Sequence, residues 1–511
     1  MSKETEQKEL DKHLKLMAKS SVLVFLGAIF SKLFTYLYRT IIARHFGPEI
    51  YGLFSLGLMI SILVMAIASL GLLDGTVRFV SFYRGKGDKK RIKYLLKITS
   101  AFLLATSFIS AILMYFFSGW IAINFFNNPG LAIFIKIFGI LTPFTIFFYF
   151  FLSIIQAYEK ITTYTIILDF LENIFKVFFL VFLIFIGLNT NAVIFSYALG
   201  LIAVCLIAFF YIKYNISEIF NAPNLEKNDK KDLEKQLFSY SWPLIFSVMI
   251  TGILAYIDSF IIGSFMKNGA YMVGIYNAAI PIASLMTIAS GLFARLFLPM
   301  ITKEFSNKNL DIVKELSKQT QKWILIINMP ALVLILLFPG AFINLLFGSE
   351  YLAAENALRF LAVAYFFVSM SLTSNSIITM AGKSKTTLIN ILFVTLLNFV
   401  LDIFLIDKYG INGVAFATMI CNIILFLLLT FEANYFSSII PLRRKMLGVI
   451  FSVIPPTLAL LYVRKFLVSN PWIIILQIVF FAFFYFVMIL ITKSLDKNDL
   501  MILKSFRKKI F

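Results

Sequence analysis

The chain has 511 residues, of which 60% are hydrophobic and only 14% are charged, and its formal net charge is +20. Soluble globular proteins are roughly 45–50% apolar and about 25% charged, so this composition excludes a water-soluble globule. The Lys and Arg residues stand between apolar runs instead of forming one basic domain, which argues against a nucleic-acid-binding protein.

Fourteen apolar runs are long enough to cross a membrane as helices, since a span needs about 20 residues. Their approximate centres are Phe30, Val64, Ile109, Thr142, Phe175, Ala203, Thr251, Ser284, Val333, Phe367, Leu396, Leu425, Pro456 and Phe481. We number these spans 1 to 14. A more polar stretch at 307–322 has helix-forming composition, and we predict that it lies along the membrane surface. The sequence therefore predicts an all-α polytopic protein of the cell membrane, with about 14 transmembrane helices.

The Lys and Arg residues of the loops alternate strongly between the two sides of the predicted bundle. One set of loops and termini holds 33 of them, and the opposite loops hold only five. Cytoplasmic loops retain cations, so both termini are predicted to be cytoplasmic. Most of the positive charge is thus a topology signal.

The two halves of the sequence resemble each other at a spacing of about 220 residues. Residues 41–54 run parallel to 261–276, which aligns Gly52 with Gly274. Six helices would then form each half, with the same orientation, and two more helices would follow. The predicted segments are 1–19 (cytoplasmic N-terminal segment), 20–213 (N-lobe, spans 1 to 6), 214–237 (cytoplasmic linker), 238–436 (C-lobe, spans 7 to 12), 446–493 (spans 13 and 14) and 494–511 (basic cytoplasmic tail).

Among the cations inside the apolar runs, Lys32, Arg39, Arg78 and Arg295 are candidates for a functional role. A charge near the bilayer centre costs roughly 2.5–3.5 kcal/mol on insertion scales, so it normally faces a cavity or a partner. Lys32 and Arg39 are seven residues apart on one face of span 1, and we expect them to line a cavity. Arg78, which could pair with Asp74, and Arg295 lie nearer the helix ends. For these two, snorkelling to the interface is an equally good interpretation.

Acids inside the apolar runs are candidates for ion coupling or for counter-charges. Span 5 carries Asp169 and Glu172, and Glu172 is four residues from Lys176, so a structural polar network is the favoured interpretation there. Span 7 carries Asp258, which could counter the cations or carry a coupling ion. Asp74 of span 2 completes this group.

No set of residues indicates catalysis or metal binding. His13 and His45 stand alone, and Cys205 and Cys421 lie in separate apolar runs, so neither metal-ligand spacing nor a disulfide framework is available. No nucleophile accompanies a base. The sequence therefore predicts a transporter without a cofactor, driven by H⁺ or Na⁺ as a coupling ion or by the membrane potential, and not an enzyme.

Several stretches of the sequence resemble oligosaccharide flippases of the Wzx type. They are Ser31-Lys32 to Arg39 followed by FGPEIYGLF (46–54), GLLDG (71–75) with Arg78, YRGKGD (83–88), YIDSFIIG (256–263) with VGIY (273–276), and 398–416. The resemblance implies membership of the multidrug/oligosaccharidyl-lipid/polysaccharide (MOP) exporter superfamily, which includes the MurJ and MATE branches. It also implies two six-helix lobes in a V around a central cavity.

In the flippase branches the central cavity is cationic and takes the pyrophosphate and sugars of a polyprenyl-linked oligosaccharide. By this resemblance, Lys32, Arg39, Arg78 and Arg295 are the head-group candidates. The implied partners are this substrate, membrane lipids, and glycosyltransferases or a polymerase of the same pathway, with no nucleic acid.

Two other functions stay open. A MATE-like multidrug exporter would use acids to bind cationic drugs, for which Asp74, Asp169 and Glu172 are available. Under this hypothesis, cation exchange should depend on the transported substrate. A non-transporting membrane scaffold predicts that Arg39 can be replaced without loss of function.

Overall fold

The protein is almost entirely helical in a computed structural model that describes residues 3–217, 223, 225–306, 309–464, 471–492 and 494–495. No strand occurs among these residues. The helices are α1 (Lys3–Ala68), α2 (Leu72–Gly85), α3 (Lys89–Asn124), α4 (Leu131–Ala157), α5 (Ile161–Thr165), α6 (Glu172–Phe185), α7 (Asn191–Asn215), α8 (Lys227–Phe265), α9 (Gly269–Ala283), α10 (Thr287–Ser306), α11 (Leu310–Leu337), α12 (Pro339–Leu346), α13 (Glu355–Met380), α14 (Ser384–Ser437), α15 (Lys445–Arg464) and α16 (Pro471–Ile491). A π-helical turn (Ile166–Leu171) joins α5 to α6. Residues 218–222 of the predicted linker and 496–511 of the predicted tail lie outside the described residues.

The helices agree with the spans expected from hydropathy. All fourteen predicted centres lie on helices, with Ser284 on the 3-10 turn between α9 and α10. Within the described residues, ten helices are long and apolar enough to cross a membrane. The two counts differ because α1 and α14 each contain two spans, while α6 and the described apolar part of α16 are shorter. The protein is therefore an all-helical, multi-pass membrane protein.

Two glycines bend the longest helices. Gly47 interrupts α1 with φ 80° and ψ 176° and is followed by Pro48, and Gly410 interrupts α14 with φ 56° and ψ −138°. Glycine adopts positive φ without steric strain, and proline lacks the backbone N–H that a helix interior needs. Spans 1 and 2, and spans 11 and 12, therefore follow one another through a bend instead of a loop.

The chain divides into two compact units, Met1–Gly274 and Ile275–Phe511. In the first unit α1 packs on α4, α6 and α8, α2 packs on α3, α4 and α8, and α4 packs on α3 and α7. Because α8 packs on α1 and α2, it belongs with the first unit, whereas the predicted lobes divide at 214–237. The six-helix lobes stay a prediction.

The two segments that the sequence repeat aligns are in contact with each other in the first unit. Gly52 lies against the backbone of Ala270, and Gly274 lies against the backbone of Pro48. Gly52 aligns with Gly274 in the repeat, and at the same offset Pro48 aligns with Ala270, so the two contacts are equivalent. A Cβ atom at either glycine would overlap a carbonyl oxygen. The crossing of α1 and the start of α9 therefore requires glycine at both positions.

In the second unit α13 packs along α14, α10 and α11, and α11 also contacts α15 and α16. The stretch at 307–322, predicted to be a helix along the membrane surface, is helical from Leu310, and its position relative to a membrane stays a prediction. From Leu310 onward this stretch is the beginning of α11, and Ser317 and Lys322 on it are fully buried. Gln321 is buried with them, whereas Asp311, Lys314 and Glu315 nearer the helix start are exposed.

Candidate functional site

A cavity of about 320 Å³ lies beside α1 in the first unit. Its walls come from α1, α4, the π-helical turn, α6 and α7. The charged and aromatic polar side chains that line it are Tyr38, Arg39, Tyr149, Asp169, Glu172, Lys176 and Tyr197. We name it the Arg39 cavity. It brings two cations and two acids into one small space inside the helical bundle.

Hydrogen bonds between α1 and α6 fix one wall of the Arg39 cavity. The hydroxyl of Thr35 donates to Asn173 Oδ1 at 2.8 Å, and Asn173 Nδ2 donates to Ser31 Oγ at 3.1 Å. Ser31 and Thr35 are one helical turn apart, so a single amide can bond both. The π-helical turn just before α6 carries Asp169, and such turns are frequent at functional sites.

An ion pair within α6 occupies a second wall of the Arg39 cavity. Lys176 Nζ lies 2.6 Å from Glu172 Oε1, and both side chains are 13% exposed. The same Nζ lies 4.4 Å from the ring centroid of Tyr197, a cation–π contact. On the same side Tyr38 bonds to the hydroxyl of Ser196 at 3.0 Å. Glu172 balances the charge of Lys176, as the spacing of four residues predicts.

Arg39 is the other cation of this cavity. It is partly buried, and its guanidinium hydrogen-bonds the hydroxyl of Tyr51 and lies near Tyr256. Among the described side chains, no carboxylate forms an ion pair with it. A cation within a membrane protein interior is costly unless an anion accompanies it. Arg39 therefore offers an anionic ligand a guanidinium that forms no ion pair, in a cavity whose two cations and two acids carry no net formal charge.

A second cavity, of about 530 Å³, is enclosed by α1, α2, α4, α5 and α8. Its polar lining consists of Ser69, Asp74, Tyr149, Ser153, Gln156, Tyr164 and Thr251. We name it the Asp74 cavity. None of the described residues that line it is a Lys, Arg or His, so Asp74 gives it a single negative charge.

Close packing of α2 on α8 forms one side of the Asp74 cavity. Gly71, with φ +65°, lies against the backbone carbonyl of Ser241. A Cβ atom added at Gly75 would lie only 2.5 Å from Ser241 Oγ. Any larger residue at these two positions would push α2 away from α8. Tyr149 of α4 lines this cavity and also the Arg39 cavity, so the two spaces meet at its side chain.

The structure places the four predicted head-group cations in different surroundings. Arg39 lines a cavity, and Lys32, which shares its face of α1, is not among the residues lining either of the two cavities. Arg78 does not pair with Asp74. It is exposed, and its guanidinium carbon lies 4.0 Å from the ring centroid of Tyr240. Arg295 is on α10 in the second unit, and its side chain lies outside the described part of the chain.

The four predicted acids also separate. Asp74 lines the larger cavity, and Asp169 and Glu172 line the smaller one. Asp258 is partly buried on α8 and lines neither. Within the described residues, no group of three or more His, Cys, Asp or Glu side chains is arranged to hold a metal ion.

The sequence does not predict that two further residues, Lys176 and Tyr149, line the Arg39 cavity. The sequence assigns Lys176 to a structural pair with Glu172, although its intramembrane position is the same signal that identifies Arg39. Tyr149 lies in an apolar, Phe-rich run, FTIFFYFFLS, in which nothing distinguishes a cavity-lining aromatic from a lipid-facing one.

Comparison with known proteins assigns the chain to a family. The sequence pattern of a family described as polysaccharide biosynthesis protein matches residues 17–305, more than half of the chain. The chain belongs to this family. The pattern of a second family, MatE, matches residues 243–404. The polysaccharide biosynthesis family and the MatE family together identify a MOP-superfamily transporter and confirm the predicted resemblance.

Three similar proteins agree with the family assignment. A putative O-antigen transporter of Shigella flexneri is 23% identical over 381 residues, covering 73% of this chain and 87% of the relative. The lipid II flippase MurJ of Bacillus subtilis is 23% identical over 432 residues, 79% of each protein. A solved structure of lipid II flippase MurJ, in an inward closed conformation, matches with a TM-score of 0.72 at 20% identity over 94% of this chain and 100% of that chain. The likeness of the structures shows a shared fold. The protein is a membrane flippase or transporter and not an enzyme.

Proposed function

We propose that the protein is a flippase that moves a polyprenyl-diphosphate-linked oligosaccharide from the cytoplasmic to the outer leaflet. Its product would serve the assembly of cell-surface polysaccharide or glycoprotein glycans. The observation that carries the proposal is Arg39, a cation that lines a cavity and forms no ion pair with a described carboxylate. A guanidinium binds phosphate oxygens through paired, charge-assisted hydrogen bonds, so this position suits a diphosphate.

Relatives support the same substrate class, since they include proteins named for O-antigen transport and for flipping lipid II. Lys176 supplies a second cation in the same cavity. Its ammonium group bonds Glu172 and has further N–H donors, so a phosphate would share Lys176 with that carboxylate. Lys176 then stays paired before and after the head group is bound, and Glu172 is not left without a partner.

The proposed mechanism is alternating access, in which the cavity opens first to the cytoplasm and then to the outside. Energy coupling is proposed to act through the acids beside the head group. Asp169 and Glu172 line the cavity that would hold the diphosphate, so a bound H⁺ or Na⁺ there would change the local charge. Flipping measured with and without imposed Na⁺, proton and potential gradients, in wild type and Asp169→Asn, tests which of these drives transport.

The test of the proposed function is translocation of a fluorescent polyprenyl-diphosphate oligosaccharide in proteoliposomes. Wild type should accelerate flipping, and Arg39→Gln should lower the rate about tenfold or more, as expected for losing a hydrogen bond to a charged group. Lys136→Gln is the matched control, because Lys136 is an exposed cation on α4 whose Nζ contacts only the Tyr115 ring, 5.4 Å away. Equal rates in Arg39→Gln and Lys136→Gln would reject the role of Arg39.

A second candidate function is a MATE-like, cation-coupled multidrug exporter. It is favoured by the Asp74 cavity, which has one acid and no cation among its described lining residues, and by the match to the MatE pattern. Efflux of a cationic dye that depends on Asp74, together with no flipping of the glycolipid, would establish this function instead.

A further inference from the structure

The Asp74 cavity contains several polar groups that the protein itself does not satisfy. Four side chains that line it make no hydrogen bond within the described structure: the carboxylate of Asp74, the amide of Gln156 and the hydroxyls of Tyr149 and Tyr164. Asp74 and Gln156 are exposed, and the two tyrosines are partly buried. A ligand that displaced water from this space without bonding to these groups would leave each one unsatisfied, which is unfavourable for a desolvated polar group. The four groups therefore point to a ligand with several hydrogen-bonding atoms.

The chemistry of the four groups defines the ligand further. The carboxylate accepts hydrogen bonds, while the amide and the two hydroxyls both donate and accept them. Donors and acceptors distributed around one space match a polyhydroxylated molecule. The apolar lining residues, among them Met65, Leu73 and Leu152, suit the C–H faces of a sugar ring.

Charge decides which part of a glycolipid head group enters which cavity. Asp74 repels a phosphate, and Arg78, the nearest predicted counter-charge, is stacked on Tyr240 instead. In the Arg39 cavity two cations offset Asp169 and Glu172, and Arg39 forms no ion pair, so a phosphate meets less repulsion there and can bond the guanidinium. Tyr149 lines both cavities. In a ligand that fills both, the junction between the charged part and the neutral part therefore lies beside this side chain.

We propose that the Asp74 cavity is a sugar subsite, which binds the sugar next to the diphosphate while the Arg39 cavity binds the diphosphate. The proposal rests on the flippase function proposed above. The subsite adds that Asp74, Gln156 and Tyr164 recognise the first sugar through hydrogen bonds. A lipophilic cation is the less suitable ligand, because it would pair with Asp74 and the faces of the tyrosine rings but leave the amide and both hydroxyls without hydrogen-bond partners.

The experiment compares two lipids in proteoliposomes: a short-chain polyprenyl diphosphate, and the same lipid carrying one neutral N-acetylhexosamine. Gln156→Leu should slow flipping of the sugar-bearing lipid about three- to tenfold, the effect of one lost hydrogen bond, and change the sugar-free lipid less than about twofold. Asn124→Leu is the matched control, because this exposed amide on α3 bonds only to the carbonyl of Trp120 in its own helix. Tyr164→Phe removes a single oxygen atom and tests the same subsite if Gln156→Leu proves unstable.

The outcomes separate the subsite from the function. A selective loss of sugar-lipid flipping in Gln156→Leu or Tyr164→Phe supports the subsite. Equal losses for both lipids, or behaviour identical to Asn124→Leu, overturn the subsite while the flippase function stands. Failure of wild type to move either lipid, together with Asp74-dependent binding of a rhodamine cation, overturns both proposals.

Discussion

The two cavities of the first unit share Tyr149 but differ in how their polar groups are paired. In the Arg39 cavity, Lys176 bonds to Glu172 and Thr35 bonds to Asn173, so the groups hold one another in place. In the Asp74 cavity, four polar groups have no hydrogen-bonding partner among the described residues. The difference indicates that paired charges organise the first space, whereas the second presents one carboxylate and three neutral polar groups to a ligand. This difference can be tested with variants that change one cavity and leave the other unchanged.

The largest effect is expected from Gly52→Ala, which should remove the distinction between the cavities by damaging both. The new Cβ would overlap the Ala270 carbonyl, and a backbone atom cannot move aside as a flexible side-chain tip can. Overpacking of this kind costs about 1–3 kcal/mol and would displace α1, which lines both cavities. We expect a lower melting temperature and the loss of flipping for lipids with and without sugar.

The control for this variant is Gly119→Ala on α3, where nothing lies within 4 Å of the position that the new Cβ atom would take. It should be neutral or slightly stabilising, since Ala favours helix over Gly by roughly 0.5–1 kcal/mol. Wild-type melting and transport in Gly52→Ala would show that the crossing with α9 tolerates separation.

The next effect is expected from Lys176→Gln, which sharpens the assignment of charge to the Arg39 cavity. It leaves Glu172 as a partly buried acid without its ion-pair partner, so the protein should be less stable and should flip both lipids about tenfold more slowly. The double variant Glu172→Gln/Lys176→Gln separates the two causes. Its melting temperature should recover while flipping stays slow. Recovery of both would show that Lys176 serves only to neutralise Glu172.

A smaller effect is expected from Asp74→Asn, which changes the charge of the second cavity and keeps its shape. An amide still accepts a hydrogen bond from a sugar, although less strongly than a carboxylate, so flipping of the sugar-bearing lipid should fall about three- to fivefold. The sugar-free lipid should be unaffected. A loss confined to the sugar-free lipid would reverse the assignment of the two cavities.

How much of this could be predicted from sequence differs between fold and site. Hydropathy locates all fourteen spans, because the cost of burying polar backbone in lipid forces long apolar helices. It does not show that spans 1 and 2 are one bent helix, since an apolar run carries no information about the φ of Gly47. It also does not show that 310–322 continues into span 9 as one helix, α11, with Ser317 and Lys322 buried.

For the site, the energetic penalty of intramembrane charge selects Arg39, Asp169 and Glu172, which line the Arg39 cavity, and also Lys32 and Asp258, which line neither cavity. The Asp74 cavity could not be predicted. It exists because Gly71 and Gly75 let α2 approach Ser241 on α8, a contact between residues about 170 positions apart. The expected pairing of Asp74 with Arg78 fails for the same reason, since α8 brings Tyr240 to Arg78.

The smallest effect is expected from Tyr149→Phe, at the junction of the two cavities. The ring keeps its packing, and only one hydroxyl is lost, so flipping should fall about two- to threefold. If the diphosphate and the sugar lie on either side of this residue, the flipping rate should fall more for the sugar-bearing lipid than for the sugar-free lipid. The fall should be smaller than that caused by Asp74→Asn. Tyr115→Phe, an exposed tyrosine on α3, provides the control. A fall as large as that of Arg39→Gln would mean that Tyr149 binds phosphate directly, and that the boundary between charged and neutral binding lies within the Asp74 cavity.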